Sequence, residues 1–425
     1  MGTWRAAHWE ADDASGVPRA ERRGGVYHTY TPDPLVGNPL VLDPALDHAV
    51  ARTERAVRAV QADHDLIGIA RFLLRSEAIA SSRIEGIAPS ARNVGLAELA
   101  VSESVPRVDS EARLVAQNMT VVRTATSRLV VEPEVTVDHI VDLHRSLMPD
   151  QPDLHGVRTR QNWIGGASRT PIGAEFIPPA PDEVPELLAD LVTYLNGATH
   201  SPIVQAALVH AQFETIHPFA DGNGRVGRAL IHTVLTRRGL TPGALLPVSL
   251  VLATLRDDYV TALNSYRVDG VGATAAMGDW IAVFTRALGI AVEQSRSISQ
   301  ELAEVRDRWS RLLDADRARR GAVRALRGTS ATAAVLADLP STPVLTPATV
   351  TRIHGVSHPA AVNALSELAA AGILSVRSLG RARKAYLADD VLDLVTRSER
   401  RLASTQFDTR VGPPNRVVPA RPESL

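Results

Sequence analysis

Twelve consecutive residues, His217-Pro218-Phe219-Ala220-Asp221-Gly222-Asn223-Gly224-Arg225-Val226-Gly227-Arg228, hold an imidazole, a carboxylate, three glycines and two guanidiniums. They lie between an apolar helical run ending near Ile216 and another beginning near Arg225. That makeup suits an anion. A Gly-Asn-Gly turn opening a helix exposes unpaired N–H groups at the positive end of the helix dipole, where phosphate oxygens bind well. Arg225 and Arg228 are three residues apart, so they share a helical face and can fork onto successive phosphates. Asp221 stands just before the turn, where one carboxylate can hold a Mg²⁺ that bridges phosphate oxygens. His217 precedes the loop, where a general base could take a proton from an incoming hydroxyl. Each residue alone reads as a cap, a core histidine or an ordinary turn; the whole set in this order does not.

The stretch resembles the signature of the Fic family, His-Pro-Phe-x-Asp/Glu-Gly-Asn-Gly-Arg-x-x-Arg. Every fixed position is met, with Asp221 as the acidic member and Arg228 as the final arginine. The resemblance implies a mainly α-helical catalytic core with a β-hairpin flap. It also implies a protein adenylyltransferase that moves AMP from ATP to a Ser, Thr or Tyr hydroxyl of a target protein, with Mg²⁺. In that reading His217 is the base, Asp221 the metal ligand, and Gly222, Asn223, Gly224, Arg225, Val226, Gly227 and Arg228 line the nucleotide site. Relatives often pair through their Fic domains, so a homodimer is an expectation.

The elements that must position this loop begin upstream. Ser76 to Ile87 predicts a helix that places Ser81 and Glu85, four residues apart, on one face, with Gly86 as its C-cap. This segment is similar to the Fic inhibitory motif, Ser/Thr-x-x-x-Glu-Gly/Asn. The resemblance implies that Glu85 docks on Arg228 and takes the partner that the terminal phosphate of ATP needs. Some relatives with such a glutamate also remove AMP, which leaves the reverse reaction open.

Asn162 to Gly166 and Ala174 to Ile177 read as two extended pieces around a polar tip, a β-hairpin. By resemblance this is the flap that pairs with the target backbone, with Gly173, Ala174, Glu175 and Phe176 as the edge nearest the nucleotide. β-Addition needs few specific side chains, so the target is not legible. Helices follow over Asp182 to Leu195 and Ile203 to Ile216, where His210 faces the core, as His144 does earlier. By resemblance Tyr259 and Tyr266 line the adenine end, with core packing as the alternative.

With 425 residues, two or three domains are expected. Residues 1–40, rich in Gly, Pro and charge, read as a poorly ordered extension or a surface wrap. Residues 41–130 read as a helical region carrying the inhibitory segment, 131–290 as the Fic core, and 291–330 as a connecting helix. Residues 331–395 have helix-turn-helix spacing followed by a hairpin with Arg381, Arg383 and Lys384 at its tip. This resembles a winged helix, which makes DNA a candidate partner. The candidate recognition helix offers His358 and Asn363 but otherwise alanines and other small residues, which favours protein interaction. Residues 396–425 read as a tail.

Composition adds little. Hydrophobic residues make up 45% and charged residues 22%, as in an ordinary globular chain, and the net charge of −1 gives no pull to nucleic acid or membrane. There is no Cys, which excludes disulfides and thiolate metal sites. No targeting segment or membrane span is read from the sequence, so a cytoplasmic protein is expected.

Overall fold

The computed structural model describes residues 2–406, except 12–17, 39, 63–65, 67, 104, 106, 269–272, 322–325 and 381–382. Arg381 at the expected wing tip, and the tail from 407 on, lie outside the described residues. The chain divides into two compact units, Met1–Ser299 with Leu379–Ala382, and Gln300–Ser378 with Arg383–Leu425.

The first unit opens with strands β1 (Gly2–Trp9) and β2 (Gly25–Pro32), then helices α1 (Pro44–Gln61), α2 (Ala70–Ile84), α3 (Ala91–Ser102), α4 (Ser110–Val131) and α5 (Val137–Leu147). It continues with α6 (Val184–Asn196), α7 (Pro202–Ile216), α8 (Asn223–Arg237), α9 (Val248–Thr254), α10 (Arg256–Tyr266) and the start of α11 (Ala273–Arg319). Every residue of α7 is buried, so this helix has no solvent face and forms the centre of the unit. Its polar side chains serve as internal clamps. Gln205 Nε2 donates to the carbonyls of Tyr194, Leu195 and Gly197 and so satisfies the C-terminal end of α6. Around this centre, β2, α1, α6 and α8 pack on α7, while α2, α4 and α5 pack on α8.

Residues 1–40, for which the sequence suggests a poorly ordered extension or a surface wrap, contain an ordered hairpin. β1 and β2 pair antiparallel from Gly2↔Pro32 to Trp9↔Gly25. Tyr30 is fully buried, its N–H donating to Ile177 O at 3.0 Å and its hydroxyl to Val268 O at 2.9 Å. Trp4 packs on it with ring centroids 4.9 Å apart. The signal was the β-branched and aromatic run Val26-Tyr27-His28-Thr29-Tyr30-Thr31, which the charge and glycine around it outweighed.

The helical region read over residues 41–130 consists of four helices, α1 to α4. The connecting helix is no separate element. α11 runs for 47 residues, and its first part belongs to the core, with Trp280, Ile281, Phe284, Leu288 and Val292 fully buried. By length and composition α11 is apolar enough to cross a bilayer, but half of its most apolar window is buried inside the protein.

In the second unit, α12 (Ala331–Asp338), β3 (Val344–Leu345), α13 (Pro347–His354), α14 (His358–Ala370), β4 (Ser375–Ser378), β5 (Lys384–Leu387) and α15 (Asp389–Gln406) follow in order. The sheet order is β3-β5-β4, all antiparallel. Ser330, Thr346 and Ser357 each cap the helix that follows by accepting a backbone N–H. The described part of the expected tail, 396–406, is helical and belongs to α15.

Candidate active site

Helix α7 ends at Ile216, and His217 closes it in the left-handed region at φ 50°, ψ 58°. A non-glycine residue there carries a cost of about 1–2 kcal/mol, so its surroundings must impose it. Arg158 Nε donates to His217 O at 2.9 Å, Arg158 N–H to Pro218 O at 2.9 Å, and Asn162 Nδ2 to Phe219 O at 2.9 Å. The half-buried imidazole has Nδ1 3.4 Å from Glu214 O; a proton placed there leaves Nε2 as an acceptor. Burial, helped by the cations Arg267 and Arg158, pushes the ring down to about 4 from the usual 6.5, so it is a neutral base at neutral pH.

The loop after it is held by its own side chains. Phe219 is buried and stacks on His144 at 4.0 Å, while His144 Nε2 lies 3.0 Å from Asp221 O. Asn223 accepts from Phe219 N–H and donates to Phe219 O, both at 2.8 Å. Both ends of this side-chain amide are used to shape the turn, so the Asn223 side chain is a structural clamp. Gly222 takes φ 80° at the start of α8, which glycine adopts without strain.

Three residues, Arg228, Ser81 and Glu85, meet beside the start of α8. Arg228, buried, donates from Nε to Ser81 Oγ at 3.0 Å, and from Nη2 to Ser81 O at 2.8 Å and Glu85 Oε1 at 2.7 Å. A methyl group at Gly224 would lie 2.0 Å from Glu85 Oε1, so that carboxylate rests directly against the helix terminus. Burial pushes the Glu85 carboxyl up, but Arg228 and then Arg225 outweigh it and hold it below the usual range. Arg225 is 3% exposed and meets Asp221 Oδ2 at only 3.8 Å, while its Nε and Nη1 have no partner. Buried guanidinium donors without acceptors are costly and mark a place for an anion. Asp221 keeps its carboxylate 61% exposed. Among the described residues no group of three His, Cys, Asp or Glu could hold a metal. A lone exposed carboxylate fits an ion that arrives with phosphate oxygens.

Several expected site residues fall elsewhere. Val226 is fully buried in the core, because it faces away from the loop side of α8. Gly227 abuts Phe213 and Glu214 of α7 and serves helix packing. Tyr259 and Tyr266 are 4% and 2% exposed; their hydroxyls bond His210 Nε2 and Gln212 Oε1, both at 2.9 Å, so packing and not a pocket wall is their role. The flap is reduced to one antiparallel bridge, Ile164↔Phe176. Gly173 and Glu175 are exposed on it, Ala174 is half-buried, and Phe176 is buried under Arg267, whose guanidinium carbon lies 3.7 Å from the ring centroid.

Sequence reasoning missed the groups behind the site. Glu77 of α2 is fully buried. Its Oε1 lies 2.7 Å from His232 Nε2 of α8, and its Oε2 accepts Ser249 N–H of α9 at 2.8 Å. Asn118 Nδ2 adds bonds to Ala78 O at 3.1 Å and Ser82 Oγ at 3.2 Å. Behind Arg228, burial pushes Glu214 up to about 7.

A histidine at the end of one buried helix and a glycine-opened terminus at the start of the next define the class. The fold is that of a Fic family protein from Desulfovibrio desulfuricans G20, which is 22% identical, with a TM-score of 0.50 over 82% of this chain and 97% of that one. Residues 134–235 match the Fic/DOC family, so the chain carries a Fic/DOC domain. Protein adenylyltransferase fic-1 of Caenorhabditis briggsae is 36% identical over 136 residues, 31% of this chain and 24% of that protein. Protein adenylyltransferase Fic of Drosophila erecta is 36% identical over 119 residues, 27% of this chain and 22% of that protein. The chain therefore spans about a quarter of the length of these relatives.

Proposed function

We propose that this protein transfers AMP from ATP to a hydroxyl of a target protein and that Glu85 holds it off. The observation that carries this reading is the first turn of α8, where Arg225 has buried donors without partners and Arg228 is taken by Glu85. Two guanidiniums on one face of a helix terminus suit the β and γ phosphates. A carboxylate seated among them competes for Arg228 and repels the terminal phosphate, so the α phosphate is not presented for attack.

With Glu85 withdrawn, the target hydroxyl oxygen attacks the α phosphorus, the bond from that phosphorus to the β-bridging oxygen breaks, and pyrophosphate leaves. The proton passes to Nε2 of His217, which is neutral and ready to accept it. Such a base contributes roughly 10² to 10⁴ in rate, about 3–5 kcal/mol of barrier. The amides at Gly222 to Gly224 and the two arginines position and stabilise the phosphates. Mg²⁺, held by Asp221, would supply neutralisation of phosphate charge.

The experiment uses ATP labelled in the α or the γ phosphate, with a lysate of the protein's own source as target. Label enters protein from the α position only, and His217→Ala abolishes it while nucleotide binding survives. Retention of γ label, or transfer by His217→Ala near the wild-type rate, contradicts the reading.

For the second unit we infer a winged-helix module, supported by three helices followed by the β4–β5 hairpin with β3 beside β5. Its exposed polar groups include His358, Asn363, Arg377, Arg383 and Lys384. That is sparse against the roughly six to ten phosphate contacts of strong DNA binders, so protein docking is the better reading. A gel shift at two salt concentrations tests it, with tight, salt-sensitive binding to one sequence as the contrary result.

A further inference from the structure

Arg158 is 6% exposed, and among the described residues no carboxylate pairs with it. A buried cation without a counterion is costly, so its position calls for a reason. Its guanidinium is used entirely on backbone carbonyls. Nε donates to His217 O at 2.9 Å and Nη2 to Ile216 O at 3.4 Å, both at the negative end of α7. Nη2 also donates to Pro179 O at 2.6 Å and Nη1 to Arg160 O at 3.3 Å. Residues 160 and 179 are the two feet of the segment that carries the Ile164↔Phe176 bridge. One planar fork thus ties the turn bearing the base to both feet of the flap.

We propose that Arg158 is a positioning residue: it locks the left-handed turn of His217 to the flap segment, so that ring nitrogen and target hydroxyl are held at a fixed separation. The proposal deepens the adenylyl-transfer reading and rests on it. The phosphate cradle is built from other residues, so Arg158 acts on the base and not on ATP. Its charge has a second effect on the imidazole. Arg267 and Arg158 press the ring towards neutrality, Glu85 acts the other way, and Glu214 faces it through its backbone carbonyl.

The test uses the full chain carrying Glu85→Gly, with Arg158→Lys and Arg158→Gln added singly. Lysine keeps the charge and loses the fork. Arg158→Lys lowers kcat by about tenfold or more, as misplacement of a catalytic group does, while KM for ATP and the melting temperature stay close to the parent. The His217 ring is followed by NMR titration, its signal assigned by loss in His217→Ala. Its midpoint is unchanged in Arg158→Lys and rises by about one pH unit in Arg158→Gln, as removal of a neighbouring cation requires. Parent-like kcat in Arg158→Lys, or a kcat loss matched by equal losses of ATP affinity and melting temperature, overturns the proposal. Should the parent itself transfer nothing, the adenylyl-transfer reading fails, and an unmoved midpoint in Arg158→Gln then overturns the Arg158 assignment separately.

Discussion

His217 combines a strained backbone with a depressed proton affinity, and both trace to its place at the end of a buried helix. The ring sits at about 4 and that of His210, fully buried, at about 3, against 6.5 when unfolded. Because the folded values are lowered, the neutral forms favour folding above about pH 6.5, and that contribution is lost as pH falls from there towards 4. Melting temperature therefore declines between pH 6.5 and 4 in a buffer series, and His217→Gln reduces the slope; an unchanged slope refutes the assigned ring environment. The signature residues were legible because their chemistry is concentrated within twelve positions. Arg158 and Arg267 were not, since an arginine in a sequence reads as surface and nothing local marks a buried one. The burial of Val226 was not legible, and for Tyr259 and Tyr266 core packing was one of two open readings, because which way a helical side chain faces depends on partner helices far away in sequence.

At the scale of elements, α2 is the part that decides whether Glu85 reaches Arg228. Two turns before Glu85, Glu77 ties α2 to His232 on the same helix as Arg228 and to Ser249 on α9. Alanine at Glu77 strands buried donors at an expected cost of about 1–3 kcal/mol each. Glu77→Ala consequently lowers the melting temperature by several degrees and raises basal AMP transfer, because α2 no longer holds Glu85 in register. A variant that melts earlier yet transfers no faster separates the anchor from the inhibition and contradicts this account. The helices around the site were legible from apolar spacing, and the facing of Ser81 and Glu85 from their separation of four. The division of the 41–130 region into four helices was not, nor was the β1–β2 hairpin, whose stability comes from Tyr30 entering a core that the sequence does not display locally.

For the molecule as a whole, the first unit holds every residue assigned to the site and the second unit none. The boundary between a helical region and a core is not one that the two compact units draw, but a smaller terminal unit was readable from its spacing. The continuity of α11 through 47 residues was not, because its pattern changes from a core helix to a charged one part way along. The contact on which the proposed inhibition turns is Glu85 on Arg228 at 2.7 Å. The direct test is the initial rate of AMP incorporation from α-labelled ATP by the full chain and by Glu85→Gly. Freeing a charge-assisted bond of about 1.5–3 kcal/mol raises that rate by about tenfold or more. Equal rates would show that the carboxylate does not obstruct the nucleotide and would contradict the account.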